Sequence, residues 1–131
     1  MIRVLLVEDD AWLAEMEQSV LTQAGYDVVV APHALAAMAS IDETVPDVII
    51  LDVLLAGSTA FSLLNELQSH SDTHQVPIIL CTNLAEQFSS SQLVEYGVKR
   101  VVNKTTMHPQ DLVVAVRALV PERSGDEDSS N

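Results

Sequence analysis

Five short apolar runs, separated by segments whose apolar residues recur at helical spacing, constrain the fold of this chain more than any other feature. The runs are Val4-Leu5-Leu6-Val7, Val28-Val29-Val30-Ala31, Val48-Ile49-Ile50-Leu51, Ile78-Ile79-Leu80-Cys81 and the shorter Arg100-Val101-Val102-Asn103. Runs of this length, β-branched and without polar alternation, read as strands buried on both faces. Strands of that kind alternating with helices over short connections imply a parallel sheet covered on both sides.

The intervening segments supply the helices. Residues 11–24 carry Leu13, Met16, Val20, Leu21 and Ala24 on one face and end at Gly25. A second helix opens at Pro32 and runs to about residue 43, with Leu35, Met38 and Ile41 inward. A third, at 59–69, turns Phe61, Leu64 and Leu67 inward. The fourth, at 86–96, is weak because Ser89-Ser90-Ser91 are poor helix formers in mid-helix. The last, at 109–119, has Pro109 in its first turn and Leu112, Val116 and Leu119 on its core face. Val113, Val114 and Val120 are then left to lie partly elsewhere. His33, His70 and His74 read as surface residues rather than ligands.

At 131 residues the chain is one domain, residues 1–120, followed by an acidic segment, 121–131, too poor in apolar residues to order itself. Hydrophobic residues make up 48% and aromatics 4%, so the core is aliphatic. The net charge of −13 leaves no basic footprint for nucleic acid. The single Cys81 excludes an internal disulfide. Neither a signal peptide nor a membrane-spanning run is present, which predicts a soluble, cytoplasmic protein.

The chemistry gathers where the strands end. The first strand runs into Glu8-Asp9-Asp10, the third ends on Asp52, the fourth on Thr82, and Lys104 follows the fifth. Open α/β sheets place their ligands at these carboxyl ends. One of the three acids serves as a helix cap, and Asp10 is placed for it. Three together repel one another unless a cation offsets the charge, and hard oxygen ligands favour magnesium or calcium. The set suits phosphoryl transfer to a carboxylate. Asp52 would be the nucleophile, the acidic pair would hold magnesium, and Lys104 and the Thr82 hydroxyl would bind phosphoryl oxygens, the lysine pairing with an acid in their absence.

These motifs, Val4 to Asp10, Pro46-Asp47-Val48-Ile49-Ile50-Leu51-Asp52, Val76 to Thr82, and Lys104 after a short strand, resemble the response-regulator receiver domains of bacterial two-component signalling over roughly residues 2–120. The resemblance implies a flavodoxin-like doubly wound sheet of order 2-1-3-4-5 with five helices, and phosphotransfer from a sensor histidine kinase or phosphotransfer protein to Asp52 with magnesium. It also implies that Asp9 touches the metal directly, that Glu8 does so largely through water, and that the Leu54 backbone carbonyl completes the protein ligands. The output face would be helix four, strand five and helix five, engaging a downstream protein or a second copy of the chain. Such a domain is a phosphoacceptor rather than an enzyme. Apolar Leu54 and Leu84, two residues after Asp52 and Thr82, imply slow self-dephosphorylation, and the acidic tail favours a stand-alone receiver.

The chain departs from the family pattern at Thr105, where proline usually follows the lysine, at Ala56, Ala60 and Asn83, and at Val101, commonly aromatic. Three other readings compete. A haloacid-dehalogenase-type phosphatase needs an acid two residues after the nucleophile, where Leu54 stands. A nucleotide or flavin binder needs a glycine-rich turn after the first strand, where three acids stand instead. A receiver-like interaction module that is never phosphorylated is the remaining alternative.

Overall fold

The computed structural model describes residues 1–52, 57–71, 73–82, 90–104 and 106–120, and of residues 52, 57–61, 90 and 92 it describes the backbone. Strands and helices alternate along the chain: β1 (Arg3–Glu8), α1 (Ala11–Gln23), β2 (Asp27–Ala31), α2 (Ala34–Glu43), β3 (Val48–Asp52), α3 (Gly57–Ser69), β4 (Ile78–Thr82), α4 (Ser90–Glu95), β5 (Val98–Asn103) and α5 (Pro109–Leu119). The strands form one sheet in the order β2-β1-β3-β4-β5, every pair parallel.

Why the runs are continuously apolar is visible in how they divide. Successive side chains of a strand point to opposite faces. Leu5 and Val7, Ile49 and Leu51, and Ile78 and Leu80 pack on one side with Ala37 and Ile41 of α2, Leu64 and Leu67 of α3, and Leu93 of α4. Val4 and Leu6, Val48 and Ile50, and Ile79 and Cys81 pack on the other with Leu21 of α1 and Leu112 and Val116 of α5. The chain leaves β1 toward one sheet edge, then returns past it to β3, so the direction of winding reverses between β1 and β3. In doubly wound sheets that reversal opens a crevice at the strand ends.

Several helix and strand expectations need correction. The inward face of α2 is Ala37 and Ile41, while Leu35 is 79% exposed. The helix begins later than Pro32, after an N-cap at His33 whose Nδ1 accepts the Ala36 N–H at 3.1 Å. That start rotates the stripe. On α1 the fully buried face is Ala14, Glu17 and Leu21, with Val20 and Ala24 packed partly buried at its side. A glutamate at its centre is invisible to a search for apolar spacing. On α5, Val113 and Val120 belong to the core, and Val114 alone of the three valines faces solvent. Its layer is shared with α1, which buries more of the helix than the sheet alone would.

β5 starts at Val98, two residues before the expected Arg100. Lys99 and Arg100 are exposed, and the ladder with β4 skips from Val98 to Arg100. An edge strand tolerates such charges and a bulge because one side of it has no neighbour. For α4 the expected start at residue 86 lies outside the described residues, as do Leu54, Ala56, Asn83, Leu84, Thr105 and the acidic segment 121–131.

Candidate functional site

Four strand ends meet at one edge of the sheet. In the ladder, Glu8 of β1 stands opposite Asp52 of β3, Asp52 opposite Cys81 of β4, and Thr82 opposite Asn103 of β5. Parallel strands in register bring their carboxyl ends level, so residues 8, 52, 82 and 104 come together although the chain separates them widely. The Lys104 backbone N–H donates to the Thr82 carbonyl at 3.0 Å, which ties the turn after β5 to the end of β4.

The three acids after β1 have separated roles. Asp10 is the N-cap of α1, its Oδ1 accepting the N–H groups of Trp12 at 3.0 Å and Leu13 at 3.1 Å. Two of the helix's orphan donors are thereby satisfied. Glu8 is turned inward. Its Oε2 accepts the Asp10 backbone N–H at 3.1 Å, and its Oε1 accepts from the Lys104 ammonium at 3.1 Å. The Glu8 side chain is fully buried and that of Lys104 is 7% exposed. Charges so enclosed depend on their pairing, since burial away from water is costly for each of them. Asp9 between them is exposed.

Thr82 is buried at the end of β4. Asp52 is placed by its backbone beside Glu8 and Cys81, and its side chain lies outside the described residues, as does the Leu54 carbonyl. Among the described residues no three His, Cys, Asp or Glu side chains converge as a metal cluster. The donor chemistry nevertheless suits a small hard cation. Glu8 is buried with its carboxylate oxygens as the only polar atoms it can offer, Asp9 is open to solvent beside it, and both supply oxygen.

Sequence reasoning identified the acid cluster and the lysine but left open which acid the lysine meets. It also passed over Trp12, which is 72% exposed in the first turn of α1, directly beside Asp10. The available signal was its position one residue ahead of the stripe begun by Leu13. Elsewhere, His33 is a cap, His70 pairs with Glu66 at 3.0 Å on the surface, and His74 contacts the Ser71 carbonyl. None of these three contacts involves Glu8, Thr82 or Lys104.

The sequence profile of the response regulator receiver domain matches residues 4–117. The phosphate regulon transcriptional regulatory protein PhoB of Pseudomonas aeruginosa is 32% identical over 126 residues, covering 96% of this chain and 54% of that protein. The chain thus spans about half the length of the curated relatives it matches. Among solved structures, the chemotaxis protein CheY4 of Vibrio cholerae superposes with a TM-score of 0.78 at 26% identity, covering 92% of this chain and 99% of that one. The receiver domain of a sensor histidine kinase from Pseudomonas aeruginosa PAO1 superposes with a TM-score of 0.78 at 22% identity over 92% of this chain and 98% of its own, and holds magnesium in its active-site cleft. At that identity the likeness is one of fold.

Proposed function

Because the chain belongs to the family of response regulator receiver domains, we propose that it accepts a phosphoryl group on Asp52 from a sensor histidine kinase or phosphotransfer protein and passes the change to a protein contact. The Asp52 carboxylate attacks phosphorus, a P–O bond forms as the P–N bond to the donor histidine breaks, and an acyl phosphate results. Glu8, Asp9, Asp52 and the Leu54 backbone carbonyl hold magnesium, which supplies charge neutralisation for the incoming phosphoryl oxygens. The Lys104 ammonium and the Thr82 hydroxyl bind the remaining phosphoryl oxygens.

The observation that carries this reading is the reach of Lys104 to Glu8 across the strand ends, in register with Asp52. An acid at the end of β1, the proposed phosphoacceptor at the end of β3 and a lysine after β5 that reaches back to that acid form a set for which a cap or a surface ion pair has no use. Intact mass after treatment with a small phosphodonor and magnesium tests it. Wild type gains one phosphoryl group and Asp52→Asn gains none; labelling that persists in Asp52→Asn, or is absent from wild type, refutes the assignment. The second outcome would leave the non-phosphorylated interaction module as the reading. With Leu54 and Leu84 unable to orient an attacking water, the acyl phosphate decays slowly, and Leu84→Glu quickens the decay.

The output surface we assign to α4, β5 and α5, binding a downstream protein or a second copy of the chain. Support comes from the exposed Val94 of α4 and Val114 of α5 on either side of an edge strand.

A further inference from the structure

Lysines and arginines number only 6 in this chain, and their placement is uneven. Arg3 pairs with Asp27 at 3.5 Å, Lys104 is enclosed at the strand ends, and Arg123 lies outside the described residues. The other three, Lys99, Arg100 and Arg117, are exposed, and among the described residues no ion pair engages any of them. They stand on neighbouring elements. Lys99 and Arg100 open β5, and Arg100 lies opposite Ile79 in the ladder, on the face of the sheet that α5 covers. Arg117 is in the last turn of α5, three residues after the exposed Val114, so the two share a helix face. Because α5 starts from the turn after β5 and runs back over the sheet, its last turn comes to the end where β5 begins. A protein of net charge −13 thus carries one cationic corner. Charges on an edge strand deter pairing with another strand, but Arg117, on a helix, has no part in that.

The matching anion is in the same chain. Glu122, Asp126, Glu127 and Asp128 follow α5, with Arg123 as the one opposing charge among them. Asp128, eight residues beyond Val120, has up to about 28 Å of extended chain to draw on, against the roughly 20 Å that a strand of the length of β5 spans. We propose that the corner formed by Lys99, Arg100 and Arg117 is a docking surface for an acidic segment, and that residues 122–128 of the same chain occupy it. A single exposed ion pair is weak. Here several act together, and the tether holds the segment at a millimolar effective concentration, so the contact forms in dilute solution and yields to salt. It adjoins Val114 and covers part of the surface assigned to output, so a downstream protein must displace the segment before it binds there. That consequence rests on the output assignment; the contact itself depends neither on that assignment nor on phosphorylation of Asp52.

Cys81 is buried, so Ser129→Cys supplies the one accessible thiol for a nitroxide label. Backbone amide intensities of the nitrogen-15 full chain are compared with the label oxidised and reduced. At low salt the amides of residues 99, 100 and 114–117 lose intensity, while those of β2, at the opposite edge of the sheet, keep theirs. Neutralising the segment with Glu122→Gln, Asp126→Asn, Glu127→Gln and Asp128→Asn together cuts the loss by about threefold or more, as does roughly 1 M salt, where the Debye length is about 3 Å. A loss confined to the residues beside Val120, or one that survives both neutralisation and salt, overturns the proposal. Nitroxide-labelled chain at natural isotope abundance, mixed with unlabelled nitrogen-15 chain, identifies the occupant. No loss is expected in the mixture, and a loss at residues 99, 100 and 114–117 there would give the surface to a second copy and overturn docking within one chain. All of these substitutions lie beyond α5, so none disturbs the core.

Discussion

Glu8, Asp9 and Asp10 are the same kind of residue in consecutive positions, and the turn between β1 and α1 sends them in three directions. Asp10 caps α1 through two N–H groups, so Asp10→Ala should cost about 1 kcal/mol in urea denaturation while leaving the magnesium response in place. Asp9 is exposed and makes no part of that cap. Magnesium at ten times its dissociation constant should stabilise wild type by about 1.4 kcal/mol, and Asp9→Ala should erase that gain. A magnesium-dependent melting temperature that persists in Asp9→Ala would remove this residue from the site. Glu8 differs again, because its loss removes a fully buried carboxylate that is paired with the enclosed Lys104 ammonium. In the absence of metal, Glu8→Ala should cost about 3 kcal/mol, more than either neighbour. Equal costs for Glu8→Ala and Asp9→Ala would mean that the enclosed pair contributes nothing special.

The helices behave as elements whose buried face is set by where each begins. In α2 the His33 cap places Ala37 and Ile41 against the sheet and leaves Leu35 outside. Ile41→Ala should therefore cost about 3 kcal/mol, and Leu35→Ala should stay within about 0.5 kcal/mol. Comparable losses at the two positions in urea denaturation would contradict the observed rotation. In α5 the capping box joins the His108 N–H to the Asp111 carboxylate at 2.8 Å, and Pro109 fills a position that has no helical hydrogen bond to lose. That start directs Leu112, Val113 and Val116 into the layer shared with α1. β5 shows the converse case. It is an edge strand with one side unpaired, and its bulge carries Lys99 outward, where burial makes no demand on the residue.

At the scale of the whole molecule, the proposed phosphorylation of Asp52 is a local event, and on that reading its effects cross the sheet edge to reach a partner protein. Thr82 ends β4 and its carbonyl holds the Lys104 N–H, so movement at either residue is shared between the strands that precede α4 and α5. With Val101 in place of an aromatic residue, the change should travel as backbone movement of α4, a six-residue helix. Hydrogen exchange with and without a phosphoryl mimic should show altered protection in residues 90–95 and 109–119. Changes limited to residues 8–10 and 52 would mean that the α4–β5–α5 surface is not the output.

How much of this was written in the sequence follows from the range of the interactions involved. Strand identity was legible because burial on both faces needs an unbroken apolar run, and Val48 to Leu51 satisfies it without reference to any neighbour. The candidate site was legible because a parallel sheet levels its carboxyl ends, so polar residues that close such runs must meet. Helix faces were less so: Glu17 at the centre of α1 and Leu35 outside α2 break the apolar rule, and only the packed neighbours show which side is in. The partner of Lys104 was beyond reach for the same reason. It lies 96 residues away, and with Asp10 read as the helix cap, Glu8 and Asp9 offered themselves equally until the turn after β1 left Asp9 in solvent and turned Glu8 to the lysine. Local composition decides what each segment can become, whereas the choice among equivalent partners is made by the geometry that folding imposes.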